Sequence, residues 1–171
     1  MEKIRELLNS NHKISIRGRN GKWKNRYRLQ IGSKEIFNDL LQLGITPNKS
    51  KTVRLPRVPK KYFYHFVRGY FDGDGNVTIS KYVRANRNNK KSTTLLSGFT
   101  SGSKKFLQEL HVRLKKATKV SGGTFYYHQG YRLYFSVKDS LALYNFMYKG
   151  NKGNLFLSRK KERFEKYFRI T

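Results

Sequence analysis

Phe66-Val67-Arg68-Gly69-Tyr70-Phe71-Asp72-Gly73-Asp74-Gly75 is the stretch whose reading decides the fold. Its first part belongs to an apolar helix predicted from about residue 60 to residue 71, and its second part reads as a sharp exit into a strand. A glycine within a helix costs about 1 kcal/mol relative to alanine. Gly69 therefore calls for the close approach of another helix, which only a missing side chain permits. Phe66 and Tyr70, four residues apart, flank that contact. Asp72 and Asp74 stand at a helix C-terminus, where the helix dipole disfavours carboxylates. An Asx turn accounts for them without a ligand, and a bound cation accounts for them with one. Ile79, Tyr82 and Val83 follow where the oxygen ligands of a calcium loop would continue. No Lys-Ser/Thr pair opens a helix after these glycines, so a phosphate-binding loop does not fit either.

Working outward, residues 76–83 and 93–100 alternate as strands joined by a basic, Asn-rich loop over 84–91. Residues 103–117 are amphipathic. Residues 124–128 and 131–137 form a hairpin about Gln129-Gly130, followed by helices over 138–147 and roughly 155–168. Before the motif, a short helix over 2–8 precedes strands at 12–17 and 25–31 and a helix from Ser33, its N-cap, to Gly44. Residues 46–59 hold all three prolines and read as a connector. Residues 61–148 thus run helix–strand–strand–helix–strand–strand–helix, and residues 1–45 repeat only the latter part of that unit. Tyr27-Arg28-Leu29-Gln30-Ile31 and Tyr131-Arg132-Leu133-Tyr134-Phe135 occupy equivalent places in the two. The expected class is α+β: an αββαββα module with a mostly antiparallel sheet, preceded by a partial ββα repeat. The expected domains are 1–59 and 60–171.

Thirty-eight Lys and Arg face ten Asp and Glu across 171 residues, a formal charge of +28. Residues 1–60 carry +11 and residues 61–171 carry +17, so the charge lies on folded elements and not on a tail. Self-repulsion of this size asks for a polyanion, and a nucleic acid is the expected partner. The absence of Cys excludes disulfides, thiolate catalysis and Cys-ligated zinc. No apolar run is as long as a membrane span and the start is not a signal peptide. The expected location is cytoplasmic or nucleoid-associated, with an organellar host also compatible.

Residues 67–75, with Gly, Asp, Asp and Gly at matching spacing among apolar neighbours, resemble the LAGLIDADG motif. That motif belongs to homing endonucleases, intein endonuclease domains and group I intron maturases. The element order and the basic segment Leu155-Phe156-Leu157-Ser158-Arg159-Lys160-Lys161 are similar to that family as well. The resemblance covers residues 61–168, and residues 1–59 resemble the end of a preceding repeat. It implies a site-specific double-stranded DNA endonuclease that uses divalent metal, most simply Mg²⁺, leaves 3′ cohesive ends and serves intron or mobile-element homing. It assigns Asp74 and the Gly73 carbonyl to the metal. Asp72 becomes a structural cap, and Lys160 the basic catalytic residue, with Lys161 as the alternative. His128 and Gln129 approach from the hairpin. Members with two motifs pair two such helices, and members with one form homodimers. With one motif here, a homodimer through Phe66, Gly69 and Tyr70 is implied. The alternative is a non-cleaving maturase that binds intron RNA, a DNA-binding protein or a truncated endonuclease.

An antiparallel sheet covered by helices on one face offers the other to a DNA groove. Candidate contacts there are Asn76, Thr78, Ser80 and Arg84, with Arg132, Tyr134 and Lys138 from the second hairpin. The N-terminal hairpin adds Lys13, Arg17, Arg26, Arg28 and Gln30. Arg and Gln suit bidentate base contacts, whereas Arg84 and Arg87, placed in the connecting loop, suit phosphates. Trp23 and Tyr62 are candidate stacking platforms, and His65 reads as a packed residue.

Overall fold

A computed structural model describes residues 1–19, 23–86, 88–150 and 153–170, with only the backbone described at 17, 19, 23 and 24. The chain divides into two units, Met1–Leu40 and Leu41–Thr171.

The first unit holds α1 (Glu2–Leu7) and the antiparallel pair β1 (Ile14–Arg19) and β2 (Trp23–Leu29). Its register pairs Ile14 with Leu29, Ser15 with Arg28, Ile16 with Tyr27 and Arg17 with Arg26. The apolar set therefore shares one face, and positions 15, 17, 26 and 28 share the other, as the alternation requires. Lys13 and Gln30 lie just outside the strands. The division falls within α2 (Lys34–Gln42), whose Ser33 cap accepts the Ile36 N–H at 3.1 Å.

The second unit contains α3 (Phe63–Asp74), β3 (Gly75–Arg84), β4 (Lys90–Ser101), α4 (Lys104–Ala117), β5 (Thr124–Tyr127), β6 (Tyr131–Phe135), α5 (Val137–Tyr148) and α6 (Ser158–Phe168). The sheet is antiparallel throughout in the order β3-β4-β6-β5, which bears out the α+β expectation. All four helices pack against strands β3, β4 or β6. Phe63, Val67, Phe71, Leu95, Phe99, Leu107, Leu110, Leu133, Phe135, Leu143 and Phe164 are buried between them. Every second residue of the strands enters this core, so Val77, Leu95, Phe99, Leu133 and Phe135 face the helices.

Three boundaries differ from expectation for physical reasons. The residues that follow α2 belong to the second unit, so the division precedes residue 59. Val53, Leu55 and Val58 pack on the core, Glu109 accepts from Arg54 Nε (2.7 Å) and the Leu55 N–H (2.9 Å), and Arg113 donates to the Val58 carbonyl. Apolar side chains at every second or third position of a proline-rich segment gave that segment a face to bury. The loop between β3 and β4 is shorter than 84–91: Arg84, Lys90 and Lys91 all extend the ladder, Arg84 pairing with Lys90. Arg87 lies outside the described residues. Lys138 is not on a strand, because β6 stops at Phe135 and Lys138 sits exposed in the first turn of α5.

Candidate nucleic-acid interface and carboxylate site

The motif helix runs further than its glycines suggest. α3 continues through Asp72 and Gly73 to Asp74, after a 3₁₀ turn at Lys60–Tyr62. Neither Gly73 nor Gly75 adopts positive φ, so conformational freedom is not why they are there. Gly75 is extended (φ −85°, ψ 161°), and a Cβ on it would stand 2.6 Å from the Phe71 carbonyl oxygen. Close approach of the strand to the helix it has just left is the reason for that glycine.

What caps the end of the helix is Lys160, reaching across from α6. Its ammonium donates to the carbonyls of Phe71 (2.6 Å), Asp72 (2.8 Å) and Gly75. The Phe71 carbonyl also accepts the Gly75 N–H, whereas that of Asp72 is one of the acceptors a helix C-terminus leaves over, and a cation there also suits the dipole. Burial pushes the Lys160 pKa down and neighbouring Arg159 adds to this, while Asp72 and Asp74 oppose it. Three carbonyl acceptors require the ammonium, since a neutral amine has only two N–H bonds to give. Lys160 is 6% exposed and its donors are occupied. In this structure it positions the helix end, whereas the resemblance gave it a catalytic role. Lys161 pairs with Glu165 at 2.8 Å.

The two aspartates part company. Asp72 turns toward α6, where one carboxylate oxygen accepts the Leu157 N–H at 3.0 Å and the other is buried without a partner. Burial raises its pKa, against that hydrogen bond and the charges of Lys160, Arg68 and Arg159. Asp74 is exposed, and it lines a groove of about 560 Å³ with Phe66, Tyr70, Thr100, Ser101, Gln129 and Gly130. Gln129 thus lines the same groove as the carboxylate that the motif singles out. His128 is exposed in the same turn. Lys160 takes the carbonyls of Phe71, Asp72 and Gly75 and leaves those of Gly73 and Asp74 outside its clasp. One free carboxylate and one helix-end carbonyl fit Mg²⁺, an ion that keeps several waters and uses few protein ligands. Among the described residues, no group of three or more His, Asp or Glu gathers at this helix end or elsewhere.

Gly69 is not at a helix contact within the chain. It is exposed, with nothing within 4 Å of a Cβ built on it, and Gly73 is the same. Together with exposed His65 they make an open stripe along α3. Tyr70, expected on that stripe, is instead fixed inward. Its hydroxyl donates to the Thr100 carbonyl at 2.6 Å and its ring stacks on Phe99 and meets Phe106 edge-on; burial raises its pKa to about 12. Phe66 is half-buried beside it, stacked on Tyr70. His65 bonds to Arg68 at 2.9 Å but is exposed, so it is hydrogen-bonded as expected without being packed, and Arg68 is buried against the Met147 carbonyl. Tyr62 is half exposed beneath Lys61.

The sheet face away from the helices carries Asn76, Thr78, Ser80, Tyr82 and Arg84 from β3 and Lys90, Ser92, Thr94, Leu96, Gly98 and Thr100 from β4. β6 adds Arg132 and Tyr134, and β5 adds Thr124 and Tyr126. No carboxylate is among them. Gly98 escaped the sequence reading. A Cβ there would overlap the Leu133 carbonyl and stand 2.9 Å from the Tyr134 ring, and a glycine inside an alternating strand was its signal. Arg163 was also missed: it donates to the Val77 carbonyl at 2.9 Å beside the helix end.

No family model matches the chain. A stretch of 77 residues is 36% identical to a probable translation initiation factor IF-2 of Thermococcus kodakarensis, taking in 43% of this chain and 6% of that protein. The chain thus spans a small fraction of that relative's length. Among the described residues, no helix is long and apolar enough to cross a membrane.

Proposed function

We propose that the chain binds duplex DNA on its open sheet face and, as a pair of chains, hydrolyses phosphodiester bonds beside the end of α3 with Mg²⁺. This is the activity of the LAGLIDADG homing endonucleases it resembles, and it would serve intron or mobile-element homing. One observation carries the reading: in a chain of charge +28, an exposed carboxylate at a clasped helix end stands level with the first rungs of an acid-free sheet face. That is a cutting group placed at the margin of a polyanion-binding surface.

Asp74 and the Gly73 carbonyl would hold the metal. When bound, the ion supplies charge stabilisation at phosphate and a water activated for attack. Lys160 holds the carbonyl geometry of the helix end, and Gln129, in the same groove as Asp74, would offer an amide to orient water or a phosphate oxygen. The open stripe of Gly69 and Gly73 is where a second α3 would lie, bringing a second Asp74 to the site about a two-fold axis. The stretch shared with the translation factor is 6% of that protein, so its activity is not carried over.

A non-cleaving DNA-binding protein or intron RNA maturase is the second reading, favoured by the single free carboxylate that one chain supplies. The test combines solution mass with Mg²⁺-dependent cleavage of DNA spanning candidate insertion sites, for wild type and Asp74→Asn. A dimer that cuts, and an Asp74→Asn variant that binds without cutting, is the expected result. A monomer that binds its target and leaves it intact overturns cleavage. Tighter binding of structured intron RNA than of duplex DNA at equal salt makes the second reading the first.

A further inference from the structure

Three strands of the open sheet face close a small polar and aromatic cluster around Gly98. Asn76, Gly98 and Tyr134 are paired across β3, β4 and β6, and the Asn76 amide donates to the Tyr134 hydroxyl over the glycine. The Tyr126 ring lies 5.6 Å from that of Tyr134 at 31°, and the Arg132 guanidinium lies 5.9 Å from the Tyr126 ring centre. Two atoms of this cluster, Asn76 Oδ1 and Arg132 Nε, are buried without a partner. Arg132 is half-buried, yet it makes no ion pair among the described residues, and no carboxylate shares its face.

A long cation held in place without a counter-charge is a group whose partner is missing from the free protein. Its Nε is buried and its guanidinium lies over the Tyr126 ring, which restricts the side chain, so a ligand binding it meets less of the usual ordering cost. A guanidinium presents a planar fork of N–H donors, which matches the O6 and N7 acceptors of guanine in the major groove. Thr78, Ser80, Ser92 and Thr94 elsewhere on the face carry single hydroxyls, which bond to several bases and discriminate less. The register also sets where the fork acts. Gly75 pairs with Phe99, and Thr100, the next residue, pairs with Arg132, so Arg132 stands level with Asp74 two strands away. Two strand spacings are about 10 Å, or roughly three base pairs at the duplex rise of about 3.4 Å.

We propose that Arg132, stacked on Tyr126 and braced by the Tyr134–Asn76 contact, reads one guanine within about three base pairs of the phosphate nearest Asp74. This rests on the duplex-DNA reading above.

The experiment selects bound duplexes from a randomised library with the full chain as wild type, Arg132→Ala, Arg132→Lys and Arg132→Gln. Wild type should enrich a guanine at one position per bound chain. Arg132→Ala and Arg132→Lys should lower that preference about ten- to a hundredfold, with the other positions unchanged. Arg132→Gln should move the preference at that position to adenine, the base whose edge matches an amide; misfolding cannot produce such a switch. Enriched duplexes without such a guanine, or a guanine kept in all three variants, overturn the proposal while leaving DNA binding standing. Failure of wild type to enrich any duplex overturns the DNA reading together with the proposal.

Discussion

Replacing Lys160 by methionine separates a helix clasp from a catalytic cation. Methionine keeps most of the aliphatic stem and its contact with Phe71 but removes the ammonium, which lies 5.4 Å from that ring and donates to three carbonyls. Each carbonyl left without a donor in a buried setting costs on the order of 1–3 kcal/mol; the Phe71 carbonyl keeps the Gly75 N–H, so the loss falls mainly on Asp72 and Gly75. Relief of the buried charge returns part of that, and the losses share one relaxation of the helix end. A net destabilisation of about 3–4 kcal/mol follows, in line with breaking other buried charged contacts. For a folding unit of this size it corresponds to a fall in Tm of about 10 °C. The measurement is thermal unfolding followed by circular dichroism without DNA or Mg²⁺, with Arg159→Met as the exposed control on the same helix. A Lys160→Met protein that melts within 2 °C of wild type would refute the clasp, and lost cleavage at unchanged Tm would return Lys160 to the catalytic role.

Gly98→Ala should destabilise by about 1–3 kcal/mol, as overpacking does, because the new methyl meets the Leu133 carbonyl and the Tyr134 ring; the urea midpoint checks it. Asp139 accepts from the Ser121 N–H (2.8 Å), the Ser121 hydroxyl and the Gly122 N–H (2.9 Å), so Asp139→Ala should speed hydrogen exchange at amides 121 and 122 well before the core opens. The Arg54 hydrogen bond lowers the Glu109 pKa below its ordinary 4.5. A carboxylate lowered in the folded state adds stability above its unfolded pKa and loses it as pH falls through the folded one. The urea midpoint of wild type should therefore drop from pH 6 to below pH 4 by more than that of Glu109→Gln; parallel profiles would remove Glu109 from the acid response.

Periodicity made the fold largely legible before any coordinates. Alternation at Val77 and Ile79, at Leu95 and Phe99, and at Leu133 and Phe135 put the right side of each strand into the core. Ser33 announced one helix start correctly, while the cap at Ser103, which accepts the Phe106 N–H at 3.3 Å, came only with the structure. What sequence could not locate were contacts between distant segments. Glycine and aspartate at 72–75 signalled a turn by local preference, yet a lysine 85 residues beyond Gly75 allowed the helix to continue. The connector's folding against α4 was hidden in the same way, because prolines mark irregular backbone and say nothing of what Val53, Leu55 and Val58 touch. At the site, Asp74 stood out from its motif, while the partnership of Asn76, Arg132 and Tyr134 depended on a register that spacing alone does not fix.

The clasp on α3 also sets a timetable. Its donor follows the Phe71 carbonyl by 89 residues. At synthesis rates of about 5–20 residues per second, roughly 4–18 seconds separate the two on the ribosome. Throughout that interval the emerging chain has its motif glycines and both aspartates, but the carbonyls at the end of α3 have no ammonium to hold them. A nascent polypeptide this basic meets messenger and ribosomal RNA before anything else, and it does so with the end of α3 still unset.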